Sequence, residues 1–196
     1  MKLIFTFILV FCSASLFSQS ATYKLVNKKT GAYSNISIRQ TDDQLEVNIL
    51  ANWNNKTGTY GQFTGKGVLN DNQCTLQGDK NTDPCRISLA FTAEKLNVEF
   101  QDCDNYLLPE RFSGTYIKIA DDLPGEYMVT SDISYFYSRP GDQTRRKGFL
   151  RKSAVLQVEE LFEGNWGFAT FISEGRHNFG YVKLSDLKLK KTYIYD

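Results

Sequence analysis

The sequence predicts an all-β protein, and three observations carry that prediction. Apolar residues recur at every second position over short runs, as at Leu45, Val47 and Ile49, the pattern of a half-buried strand. Tight turns rich in Gly, Asn, Asp and Pro separate the runs, with no helical spacing between them. Aromatic residues are plentiful, 14 Phe and 11 Tyr against 2 Met, and rings favour strands.

Residues 1–20 are set apart as an export signal. Met1-Lys2 gives a positive start, Leu3 to Phe11 is an unbroken apolar run, and Ser13, Ser15, Ser18 and Ser20 follow, the order a secretory signal peptide requires. Cleavage after Ser18 or after Ser20 suits the small residue each offers. The run is shorter than the roughly 20 residues of a membrane-spanning helix. Cys12 follows Phe11, where a lipidation site wants a small side chain. Nothing after Ala21 is apolar for long enough to anchor the chain, so an exported, soluble protein of the periplasm or exterior is expected.

Strands are expected at 22–27, 35–40 and 44–51, the last two joined by Thr41-Asp42-Asp43. A polar loop, Asn52 to Lys56, leads to a stretch with glycines at 58, 61, 65 and 67, which in strand-like text predict bulges or tight curvature. A strand at 74–77 precedes a polar loop, Gly78 to Pro84. The clearest hairpin spans 85–103. If Phe91 faces Leu96, then Leu89 faces Val98 and Ile87 faces Phe100, so every apolar side chain shares one side, and a one-residue slip would expose them all. That register brings Cys85 within one residue of Cys103 and predicts a disulfide between them, with Cys74 free or an alternative partner for Cys85. A strand at 113–119 completes a meander, which must hide its edges; closure into a lipocalin-like small antiparallel barrel over 21–120 does so.

Asp121 to Gly125 breaks the pattern with Pro124-Gly125, a turn signal, and marks a boundary. Strand-like text resumes in GEYMVT, SYFYSRPG, GFL, AVLQVEEL, NWGFATFI and FGYVKLSDL, interrupted by a charged loop, Asp142 to Lys147. Residues 121–196 suit a second small barrel.

Charge limits the function classes. Removing Lys2 leaves 22 basic against 22 acidic residues, whereas nucleic-acid binding rests on a basic excess. Zinc is disfavoured: the cysteines form no CxxC pair and the sole histidine, His177, lies in the other half. Nor is there a GxSxG, HExxH or phosphate-cradling motif. His177 is expected in a polar turn. Glu159-Glu160, Glu163 and Asp42-Asp43 are expected on solvated faces, since neighbours on a strand point to opposite sides. No catalytic residue, metal or cofactor is expected.

The second half resembles a bacterial SH3-like domain. The resemblance rests on Tyr135-Phe136-Tyr137-Ser138-Arg139-Pro140, on Phe149-Leu150 before AVLQVEEL, on Trp166 opening a strand, and on Gly180-Tyr181-Val182-Lys183 with Ser185-Asp186-Leu187. Such domains often carry Trp where Tyr181 stands. The resemblance implies a shallow aromatic groove for extended peptides, here Tyr135, Tyr137, Trp166 and Tyr181 beside a basic loop with Arg145, Arg146 and Lys147. Alternation sends Phe136 to the core. The implied function is recognition of a protein, peptide or peptidoglycan partner in the cell envelope. The first half is similar to the small barrels of periplasmic lysozyme-inhibitor-like proteins, through its Cys-bounded hairpin and Phe112-Ser113-Gly114-Thr115-Tyr116. It lacks their inhibitory loop motif. The alternative function is therefore inhibition of, or immunity to, a lysozyme-like or other envelope-targeting enzyme, with Asn52 to Lys56 and Gly78 to Pro84 as the inserting loops.

Overall fold

Alternating apolar residues yield fifteen strands in the computed structural model, which describes residues 20–78, 83–92, 94–173 and 175–193. Residues 1–19 of the expected export signal, with Cys12, and residues 79–82 of the second polar loop lie outside these.

The first eight strands are β1 (Ala21–Val26), β2 (Tyr33–Thr41), β3 (Gln44–Asn52), β4 (Tyr60–Val68), β5 (Gln73–Gln77), β6 (Arg86–Phe91), β7 (Lys95–Gln101) and β8 (Gly114–Ala120). They form one antiparallel sheet in the order β4-β3-β2-β1-β8-β7-β6-β5. This is an up-and-down meander in which the first and last strands pair, leaving the seam between β4 and β5. The glycines of β4 explain how closely the sheet curls there. A Cβ on Gly67 would stand 2.3 Å from the Cys74 Sγ, and one on Gly61 would stand 2.3 Å from the Leu107 carbonyl oxygen. The β6–β7 register is the expected one, with Ile87 opposite Phe100, Leu89 opposite Val98 and Phe91 opposite Leu96. Cys85 and Cys103 are bonded, their Cα atoms 4.4 Å apart, and Cys74 is a buried free thiol. Burial pushes that thiol up to about 11, so it stays protonated and unreactive.

The remaining strands are β9 (Gly125–Val129), β10 (Ile133–Tyr137), β11 (Arg145–Arg151), β12 (Val155–Phe162), β13 (Trp166–Ser173), β14 (Arg176–Lys183) and β15 (Leu187–Thr192). They form a second antiparallel sheet in the order β11-β10-β14-β13-β12-β9-β15. Each sheet has its own hydrophobic core, one centred on Ile36, Leu45, Leu89 and Phe100, the other on Tyr127, Phe136, Val158 and Leu161.

Three expectations for the second half are corrected, and one strand was not foreseen. Arg145 and Arg146 are not in a loop: only 142–144 forms a short 3-10 turn, and Arg145 opens β11, opposite Tyr137. An edge strand tolerates such charge because one margin of its backbone faces solvent. His177 lies on β14 opposite Ile172, because the β13–β14 hairpin runs past the core and its outer residues remain paired. The last strand among the described residues is β15, which pairs with β9, although its Lys-rich text, LKLKKT, hides the two inward leucines. Finally, a bulge in β12 between Val158 and Glu160 shifts the alternation. Val158 and Leu161 both face the core, so Glu159 and Glu160 share the outer side instead of pointing apart, and Glu160 is drawn into the contact between the sheets.

Candidate binding face

The outer side of β12, β13, β14 and β10 collects rings because their inward positions are small or aliphatic. Gly167, Ala169 and Val182 are buried, which leaves the alternate positions outward. Phe162 lies opposite Trp166; Phe168 faces Tyr181 and Thr170 faces Phe179; Tyr137 neighbours Tyr181 across β10 and β14. Gly180 allows that last approach, since a Cβ there would stand 2.9 Å from the Tyr137 carbonyl oxygen. The rings pack edge to face, with Tyr181 5.1 Å from Phe162 and 5.4 Å from Phe168 between centroids, a favourable geometry for aromatic pairs. Phe179 packs on Phe168 and is 56% exposed, as is Ile172.

The structure divides the six residues singled out from the sequence. Tyr137 and Trp166 meet edge to face at 4.8 Å and retain only 6% and 9% exposure. The Lys183 ammonium lies over both rings and is tied to Asp142. These two rings are therefore covered, and an open groove between them is not what the fold provides. Tyr181 is half-buried in the row, and its hydroxyl is raised first by burial and then by the Glu160 carboxylate. Tyr135 belongs to a neighbouring cluster at the β10–β11 edge, where it packs on Phe149 with the Arg145 guanidinium over its ring at 4.6 Å. Arg146 reaches across to donate from Nη1 to the Phe179 carbonyl at 2.8 Å. Phe136 is in the core, as its alternation requires.

Sequence reasoning missed Phe162, Phe168, Phe179 and Phe149. The alternation of Trp166, Phe168, Thr170 and Ile172 in one strand was the available signal. The cross-strand register that sets Phe179 beside them was not.

Electrostatics separate this face from the rest of the surface. Arg145, Arg146, Lys147, Arg151 and Lys152 crowd β11 and the turn after it, and among the described residues none makes an ion pair. Net neutrality thus conceals a local basic margin beside the rings.

At its other end the ring row runs under the first sheet. The Lys24 ammonium sits 4.3 Å from the Tyr33 ring centre and 4.6 Å from that of Phe162, and 3.8 Å from Glu160. Glu160 also accepts hydrogen bonds from Asn35 Nδ2 at 2.8 Å and the Tyr33 hydroxyl at 3.1 Å. Burial raises the Glu160 carboxyl despite these partners and lowers the Lys24 ammonium. Arg39 donates to Thr192, bridging the sheets elsewhere, and the Thr22 hydroxyl donates to the Asp122 carbonyl of the segment that joins them.

Chemistry of other kinds finds little material. The neighbouring carboxylates Glu159 and Glu160 are occupied by Thr170 and by Lys24, Tyr33 and Asn35 respectively. Among the described residues no three His, Cys, Asp or Glu side chains converge as a metal site needs, and no helix is long and apolar enough to cross a membrane. Comparison of the chain with protein-family models, with curated proteins and with solved structures returned no match.

Proposed function

We propose that this is a non-catalytic binding protein that works outside the cytosol, and that the SH3-like second sheet recognises an extended acidic segment of a protein or peptide in the cell envelope. The observation that carries the reading is the open ring row ending at Phe179, bordered by the unpaired cations of β11. Rings give large, stiff contact area at small entropic cost. Guanidinium groups at the margin attract carboxylates and steer encounter. β11 is an edge strand, so an extended segment has backbone groups to pair with as well as rings to lie against. Export is supported by the charged start and apolar run of residues 1–11 and by the Cys85–Cys103 bond, which suits an oxidising compartment.

Panning a random peptide library against the protein tests this. Enriched sequences are expected to carry Asp or Glu beside aromatic residues, and to lose about tenfold or more in affinity for Phe179→Ser or Arg146→Gln, the size of effect of one buried anchor or one charged pair. Enrichment indifferent to both substitutions would remove the face from the account.

A second reading, inhibition of an envelope-targeting hydrolase, draws on the stiffness of the loop after β3. Asn52 Oδ1 accepts from the Asn54 backbone, and Asn55 Oδ1 accepts from the Thr59 backbone and the Thr57 hydroxyl. A pre-shaped loop suits insertion into a cleft. Unchanged rates across a panel of muramidases and amidases at micromolar protein would exclude it.

A further inference from the structure

We infer that the end of the first sheet beside Trp53 holds a binding site for a monocarboxylate with an apolar body, separate from the ring row of the second sheet. A pocket of about 240 Å³ opens there between the β1–β2 turn and the segment before β8. Leu25, Ala32 and Phe112 supply its apolar lining, and Trp53 with Arg111 forms one wall.

The wall is what gives the pocket its chemistry. The Arg111 guanidinium carbon lies 3.7 Å from the centre of the Trp53 ring, so the indole sets the position of the fork. Among the described residues Arg111 has no carboxylate partner. A guanidinium held by stacking keeps its N–H groups free for a planar, bidentate acceptor, which a carboxylate is. Ser113 adds a second donor: its Oγ accepts from the Phe100 backbone N–H at 2.9 Å, which leaves the hydroxyl proton to give to a ligand.

The wall is also stiff. The Trp53 indole N–H donates to the Leu107 carbonyl at 2.9 Å. Leu107 holds a left-handed backbone, φ 56°, a state that branched side chains rarely adopt. The disulfide anchors this turn, because the Cys103 carbonyl accepts from the N–H groups of Tyr106 and Leu108. Little order remains to be imposed when a ligand enters, which favours binding.

Size and charge narrow the class. The volume corresponds to roughly eight water molecules in the liquid and is below the 300–1,000 Å³ typical of drug-sized ligands. One aromatic or branched group with its carboxylate fills that space. Across the Trp53–Arg111 wall a wider, more open depression is lined by Asp102, Asp104 and Glu110. The negative potential of these carboxylates opposes a polyanion such as phosphate more strongly than a single carboxylate. A free small acid and the carboxyl-terminal residue of a peptide share this chemistry.

The test follows the indole N–H resonance of Trp53 in the oxidised protein, assigned with Trp166→Phe, during titration with four probes. They are 3-phenylpropionate, its amide, a short peptide ending in a free Phe carboxylate, and the same peptide amidated. Saturable shifts at about millimolar concentration are expected for at least one acid. Its amide and the Arg111→Gln protein are each expected to bind about tenfold more weakly, the worth of one charged hydrogen-bonded pair. Response to the small acid alone assigns the site to free metabolites, and response to the peptide acid assigns it to chain ends. No saturable shift with either acid, equal binding of acid and amide, or indifference to Arg111→Gln overturns the proposal. Arg111 is exposed, so its substitution leaves the fold intact, and the dispersion of the remaining spectrum verifies this. Loss of the Phe179-dependent peptide binding would leave this result untouched, because the two sites lie on different sheets.

Discussion

Two sheets of similar strand number use their aromatic side chains in opposite ways. In the first, Tyr23, Phe63, Phe91, Phe100, Phe112 and Tyr116 are all buried, and glycine at 67 lets β4 approach Cys74 of β5 across the seam. In the second, Phe149, Phe162, Phe168, Phe179 and Tyr181 lie outside the core, which consists mainly of small and aliphatic residues. The first core holds more than twice as many buried side chains as the second. Most of these rings form one outward row beside the cations of β11, and scattered exposed apolar residues are ordinary but a contiguous row is not. The comparison teaches that the first half spends its rings on its core, while the second keeps a row of them outside it.

The largest effect should come from the first core. Leu96, fully buried, is expected on Leu96→Ala to cost about 2–5 kcal/mol. Urea titration should show this in the Trp53 signal while the Trp166 signal moves less; equal movement of both would mean that the halves unfold as one unit and would blur the division. Next comes the disulfide. Replacing Cys85 and Cys103 together by Ser removes a link spanning 18 residues, expected to cost about 3 kcal/mol in the same first-half transition.

Glu160 tests the junction itself. Glu160→Ala strands Lys24, Tyr33 and Asn35 without their acceptor and is expected to cost about 1–3 kcal/mol, whereas Glu160→Gln keeps an acceptor oxygen and costs less. The pH dependence has a definite sign. Burial raises this carboxyl above its ordinary 4.5, so the folded state holds the proton more tightly than the unfolded chain. The penalty of burying the charge is therefore complete above the folded pKa and fades as pH falls towards 4.5. Wild type should gain stability relative to Glu160→Gln on acidification through that window, measured as a difference in urea midpoints; the opposite slope would contradict the burial argument. The smallest effect on stability is expected at the ring row. Phe179→Ser should change the unfolding midpoint by no more than about 0.5 kcal/mol, because Phe179 is 56% exposed. A larger cost would make it a packing residue and not a contact residue.

How much of this was legible in the sequence follows the same division. In the first half, alternation and register point the same way, and Ile87, Leu89 and Phe91 fixed both the hairpin and the disulfide. In the second half local pattern and tertiary context conflict. The basic text of 145–151 is polar enough to read as a loop, yet it pairs as an edge strand. The β12 bulge is a single unpaired residue with no signature in VLQVEELF, and it alone brings Glu160 out to meet Lys24. Tyr137 and Trp166 belong with the site's strands, but whether a ring is covered depends on Lys183 and the 138–144 segment, which the spacing of aromatics does not encode. The Trp53–Arg111 wall joins residues 58 positions apart and leaves no local trace.

The claim that the outer ring row is where a partner sits is tested most directly by following backbone amide resonances while the library-selected acidic peptide is added at low and at high salt. Shifts concentrated on β11, β13 and β14 around Arg146, Phe168 and Phe179, and weakened by salt, are the predicted result. Shifts confined to the first sheet, or binding that salt leaves unchanged, would contradict it.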